Sequence, residues 1–118
     1  MDELIKKIKN TPKIQWDFEN PHQLLQQQKR NLSLEKLSIK QLDKIHFNEL
    51  NPYSFNNWNK AKIERIISIC ENNIKLELPI ICFKENGKIG VEDGQHRIVV
   101  AFHMGVKEIP VFILPQIS

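Results

Sequence analysis

Two apolar runs, Leu78-Pro79-Ile80-Ile81-Cys82-Phe83 and Ile89-Gly90-Val91-Glu92, flank Glu85-Asn86-Gly87-Lys88, and no other arrangement in the chain constrains the fold as strongly. Asn-Gly accepts the left-handed backbone of a tight turn at little cost, so apolar runs joined by it read as a β-hairpin. The returning strand runs into Asp93-Gly94, and there the apolar period changes. Ile98, Ala101 and Phe102 share one face of a helix expected from Gln95 to Met104. Gly105 closes that helix, and Ile109-Pro110-Val111-Phe112-Ile113-Leu114 supplies a further apolar strand, with Val111–Leu114 as its centre.

Upstream, Lys60 to Asn73 predicts the clearest helix. Ile63, Ile66, Ile67, Cys70 and Ile74 keep helical spacing, while Lys62, Glu64, Arg65 and Glu71 face away. Before it, His46 to Asn59 holds Pro52 and five asparagines, which read as a loop long enough to carry function. Leu37, Ile39 and Leu42 place a first strand at residues 39–45. Ahead of that, residues 2–9 suit a short helix ended by Pro12, and Asn20-Pro21 opens a glutamine-rich helix running to Arg30. The expected organisation is an α/β (α+β) domain over residues 38–118, a small mixed β-sheet with packed helices, preceded by an N-terminal helical extension over residues 1–37.

A chain of 118 residues, 41% hydrophobic, supports one core. No apolar run approaches a bilayer span, and Met1-Asp2-Glu3-Leu4-Ile5-Lys6-Lys7 lacks the apolar segment of a signal peptide, so a cytoplasmic protein without a membrane partner is expected. The net charge of +3 argues only weakly for a nucleic-acid partner. Cys70 and Cys82, each among isoleucines and without a CxxC pair, read as small core residues. His22, His46 and His103 are not spaced as a metal set. Trp58 and Phe55 are better placed than Trp16 and Tyr53 to stack on a base, although such aromatics more often anchor a loop to the core.

Chemistry concentrates at the strand-to-helix junction. The first amides of a helix lack internal partners and, with the macrodipole, make an anion site. Gly94 permits a sharp turn and close approach of a ligand. Arg97 can fork onto phosphate oxygens, His96 can donate to an oxyanion or take a proton, and Gln95 offers a neutral donor and acceptor. Against this stands a bland alternative: Asp93-Gly94 is only a turn, Asp93 caps the helix, and His96 and Arg97 are surface residues.

The run from Gly87 to Ile113, with Asp93-Gly94-Gln95-His96-Arg97 at its centre and Ile109-Pro110-Val111 near its end, resembles the signature of the ParB N-terminal/sulfiredoxin superfamily. In that superfamily a strand leads to an Asp-Gly-x-His/Arg-Arg turn, then a helix, a glycine and an Ile-Pro-Val strand. The resemblance implies a ParB/sulfiredoxin-like fold and a nucleotide such as ATP or CTP, or another phosphate ligand, held by Gly94, Gln95, His96 and Arg97. It also implies Mg²⁺ arriving with the nucleotide, near Glu92 and Asp93. Gln95 stands where a sulfiredoxin needs cysteine, and the CTP-binding partition proteins usually carry Gly-Glu-Arg-Arg at this turn. Leu42-Asp43-Lys44-Ile45-His46-Phe47-Asn48-Glu49 is similar to a segment of the free serine kinase of this superfamily, which makes Glu49 the expected general base. Glu49, Asp93 and His96 are thus the expected catalytic groups of an NTPase or phosphotransferase. Two alternatives stay open. One is a nuclease acting on DNA or RNA through His96 and Arg97; the other is a non-catalytic adaptor that binds a partner through residues 1–37. The oligomeric state is left open.

Overall fold

Helical period decides the first element. In a computed structural model, which describes residues 2–18, 33–38, 40–41, 45–46, 58–83 and 87–114, helix α1 spans Asp2–Lys9. Leu4 and Ile8, one turn apart, are buried, and Lys6, Lys7 and Lys9 sit in the last turn, where the macrodipole favours cations. The chain then forms β1 (Trp16–Asp17), β2 (Ser33–Ser38) and β3 (Ile45–His46). Helix α2 (Lys60–Glu71) follows, then β4 (Leu76–Glu77), β5 (Ile80–Phe83), β6 (Ile89–Asp93), α3 (Gln95–His103) and β7 (Glu108–Ile113).

Asn59 starts α2, its side-chain oxygen accepting from the Lys62 N–H at 3.2 Å. Ile63, Ile66, Ile67 and Cys70 are its buried stripe. Ile74 does not continue that stripe. The helix stops at Glu71, Asn73 turns left-handed at φ 56°, and Ile74 is left exposed. Asparagine tolerates that conformation better than most residues, which is why the helix can end there.

The sheet is mixed, as expected for an α+β domain. Its order is β2-β7-β5-β6-β3, with β2/β7 and β5/β6 antiparallel and β5/β7 and β3/β6 parallel. Separately, β1 and β4 form a two-residue parallel ladder, Trp16 opposite Leu76 and Asp17 opposite Glu77. The first strand of the sheet lies earlier than the sequence pattern predicts. Ser33–Ser38 pairs with β7, and Lys40 and Gln41, inside the segment expected as the strand, form a short helical turn. The Ser38 N–H donates to Gln41 Oε1 at 2.9 Å, fixing the bend. An edge strand with Leu37 as its one buried apolar side chain carries too little alternation to be read from sequence.

Helix α3 lies between two layers. Ile98 and Ala101 pack on the sheet against Leu37, Ile81, Ile89, Ile109 and Val111. Val99 and Val100 point the other way, into a cluster with Leu4 and Ile8 of α1 and Ile63 and Ile67 of α2. Four consecutive buried residues make α3 apolar around most of its circumference, the mark of an interior helix. Phe102 is half-buried at the edge of the sheet-side cluster. On the opposite sheet face Leu78, Ile80, Phe112 and Leu114 form a third cluster, with Trp16 and Cys82 against it.

Two expectations are refined by this packing. The boundary drawn after residue 37 falls within β2, and the preceding α1 and β1 are joined to the core and to β4. Trp58, a candidate for base stacking, is buried beneath α1, α2 and α3 and meets the His103 ring edge-on at 5.2 Å. Its apolar area draws it into the gap where α2 begins. No helix among the described residues is long and apolar enough to cross a membrane.

Candidate functional site

Strand β6 delivers Asp93 to the rim of the sheet, and Gly94 reverses the chain into α3. Gly94 has φ 96° and ψ 25°, a left-handed conformation that side chains rarely adopt. It is also pressed against the segment before β5: a Cβ here would stand 2.9 Å from Pro79 Cα and 3.2 Å from Arg97 Nη1. Glycine is therefore required both by torsion and by contact.

The first ladder bond of α3 runs from the Ile98 N–H to Gly94 O at 3.1 Å. The N–H groups of Gln95, His96 and Arg97 precede it, at the positive end of the helix dipole. They border a cavity of about 250 Å³. Its facing wall is a stripe of α2 at helical spacing, Lys62, Arg65, Ile66 and Ile69, with Leu76 of β4 at the floor. Lys62 and Arg65 are exposed, so their charged ends are available to a ligand entering from solvent. Sequence period assigns both to the outward face of α2. Their place in the groove depends on how α2 crosses α3, which spacing along one helix does not reveal. The usable signal is the i, i+3 pairing of two cations beside an apolar stripe.

The expected site residues of the β6–α3 junction each have a definite place. Gly94 and Gln95 line the groove. His96 lines it too, and its Nε2 accepts the Asn59 N–H at 3.3 Å, linking the start of α3 to the cap of α2. Arg97 turns inward. Its guanidinium donates to Leu78 O at 3.4 Å and lies 3.7 Å from Glu77 Oε2 and 3.8 Å from Asp93 Oδ2. With its side chain 19% exposed, it ties β4, the Leu78-Pro79 segment, β6 and α3 together beneath the turn. Asp93 does not cap α3; Gly94 holds that position and the Asp93 carboxylate faces Arg97.

Glu92 leaves the groove altogether. Neighbouring residues of a strand point to opposite faces, and Glu92 Oε1 accepts from Cys82 Sγ at 3.4 Å on the other side of the sheet. Glu92 and Asp93 therefore do not converge on one cation. Among the described residues no three carboxylate, imidazole or thiol groups come together as a metal site. Glu49, the expected base, and the aromatic candidates Tyr53 and Phe55 lie outside the described residues, as does the glutamine-rich segment at 20–30. His103, two turns beyond His96, is half-buried and packs its ring edge-on against Trp58 and Phe102.

Among the described residues the groove thus offers backbone donors on one wall and two cations on the other, while its one carboxylate, Asp93, faces Arg97. That arrangement accepts an oxyanion and resists a cation. Comparison with family models, with curated proteins and with solved structures finds no match to this chain.

Proposed function

We propose that this chain is a phosphate- or nucleotide-binding domain of the ParB/sulfiredoxin-like kind, with its ligand in the groove between α2 and α3. The observation that carries this reading is the facing of Lys62 and Arg65 across about 250 Å³ of space toward the Gly94–Arg97 turn. A tetrahedral oxyanion there meets the α3 amides on one side and two cations on the other. The cavity suits a phosphate group and leaves a base or other large moiety outside it. The Asp-Gly-Gln-His-Arg resemblance supports the same place and the same ligand chemistry. In this reading Gly94, Gln95 and His96 contact the ligand, and Arg97 holds the turn from behind. Any Mg²⁺ comes with the phosphates of the nucleotide, since the two nearby carboxylates project to opposite faces of β6.

The nuclease alternative is the less favoured. A nuclease needs a basic surface that tracks a strand, and a net charge of +3, from 17 basic and 14 acidic residues, supplies little excess for one.

Calorimetry with ATP, CTP and inorganic pyrophosphate, with and without Mg²⁺, tests the proposal. The double charge reversal Lys62→Glu with Arg65→Glu is expected to weaken binding at least about tenfold, because a charge-assisted contact is worth roughly 1.5–3 kcal/mol. Both side chains are exposed, so the thermal melt should be unchanged. Equal affinity in the folded variant would remove the groove from consideration.

A further inference from the structure

The bond from the Asn59 N–H to His96 Nε2 fixes more than a loop. A nitrogen that accepts a hydrogen bond does so through its lone pair, so this bond requires His96 Nε2 to be unprotonated. Asn59 is also the residue whose side chain caps α2. One imidazole lone pair therefore connects the start of α3 to the start of α2.

The surroundings decide what would change that state. From α2, Lys62 and Arg65 line the same groove; from β6 comes Asp93, and from α3 itself Arg97. Asp93 faces Arg97 at 3.8 Å, and Glu77 of β4 lies 3.7 Å from the same guanidinium. Among the described residues an imidazolium would meet the pair of α2 cations and the positive end of α3. Placing a dianion among these groups offsets the two cations and favours the imidazolium.

We infer that oxyanion binding in this groove is coupled to protonation of His96 and to release of the Asn59 N–H. This rests on the reading of the groove as a phosphate site. On binding, His96 Nε2 takes a proton from solvent, loses its lone pair to the new N–H bond, and becomes a donor to the anion. The Asn59 amide gives up its acceptor, and the first turn of α2 is untied from α3. Lys62, three residues beyond Asn59, moves with that turn. The ligand therefore exchanges a link within the protein for a contact with itself, and the site is tighter in acid than in base.

The sign follows from linkage. An anion that favours the imidazolium raises the pH at which His96 titrates. Affinity then climbs as pH falls through the bound-state value and levels off below the free-state value.

Sulfate is the probe, because it stays dianionic from pH 5 to 8 while phosphate does not. Long-range proton–nitrogen spectra of the full, ¹⁵N-labelled chain read the tautomer and titration of His96 directly. Expected are an unprotonated Nε2 in the free protein at pH 8, a higher titration midpoint with sulfate, and about a tenfold gain in sulfate affinity over the titration, the equivalent of one pKa unit. The Asn59 amide should lose hydrogen-exchange protection when sulfate binds. The variant His96→Gln keeps an oxygen near the place of Nε2 but cannot titrate, so its sulfate affinity should not change with pH. Nε2 protonated in the free protein, or the same pH dependence in His96→Gln as in the parent, overturns the inference. Sulfate binding that is independent of pH also overturns it, and leaves the groove reading intact. Failure of sulfate to bind at any pH ends both.

Discussion

Replacing Gly94 by alanine should destabilise the fold by about 2–4 kcal/mol, and the structure separates the two causes. The first is torsional: a side chain in the left-handed region costs roughly 1–2 kcal/mol, partly offset by the smaller entropy of the unfolded alanine chain. The second is contact. The new Cβ would stand 2.9 Å from Pro79 Cα, a backbone atom that cannot rotate away, and 3.2 Å from Arg97 Nη1. Overpacking of this kind typically costs about 1–3 kcal/mol. Gly105 provides the internal control. Its φ is 81°, also left-handed, yet a Cβ there meets nothing within 4 Å. Gly105→Ala should therefore cost only the torsional part, near 1 kcal/mol. The two variants, melted by urea beside the parent, should show midpoints falling in the order parent, Gly105→Ala, Gly94→Ala, with a common slope. Equal losses for the two would refute the close approach to Pro79 as the reason for glycine at the turn.

Arg97→Ala should lower stability by about 1–3 kcal/mol, because it removes the cation 3.8 Å from Asp93 Oδ2 and the donor to Leu78 O; a denaturant midpoint unchanged from the parent would show the guanidinium to be idle in the fold. Trp58→Ala should cost about 3–5 kcal/mol, as for a large core aromatic, and a loss below 1 kcal/mol by the same assay would contradict its buried place between the helices. Burial, with a smaller contribution from Glu71, pushes the Cys70 thiol up from its ordinary value. The folded state thus resists ionisation that the unfolded chain undergoes, so stability is full below about pH 8.5 and declines as pH rises toward the folded value. Cys70→Ala, although less stable throughout, should lose that alkaline slope; an identical slope would assign it elsewhere.

What could be read from the sequence follows the strength of each local signal. Helix α2 was legible because Ile63, Ile66, Ile67 and Cys70 share one stripe, and the β5–β6 pairing because Asn86-Gly87 leaves few other conformations. The turn at Gly94 was legible for the same reason. Strand β2 was not, since Ser33 to Lys36 are exposed and only Leu37 reports the sheet. The ladder of β1 with β4 is two residues long and pairs segments about 60 apart, so nothing local announces it. At the site, residue types were legible and their directions were not. Arg97 read as a phosphate ligand because arginine at a helix start often is one. Its inward turn depends on Glu77, which reaches it from a separate strand. The adjacent carboxylates Glu92 and Asp93 looked like a pair until the strand parity of β6 sent them to opposite faces.

The layering of α3 has a consequence for how such a site can change. Its N-terminal turn is anchored on both sides by buried residues, so a substitution that shifts the turn also disturbs the sheet-side and helix-side clusters. The α2 wall is different: Lys62 and Arg65 rest on solvent, and neither contributes to the core. The groove therefore has one wall fixed by folding and, on the other, two cationic positions free to vary beside the buried Ile66. Altering the charge of the ligand requires only surface changes at Lys62 and Arg65, made at little cost to stability. Changes on the opposite wall would be filtered first by whether the chain still folds.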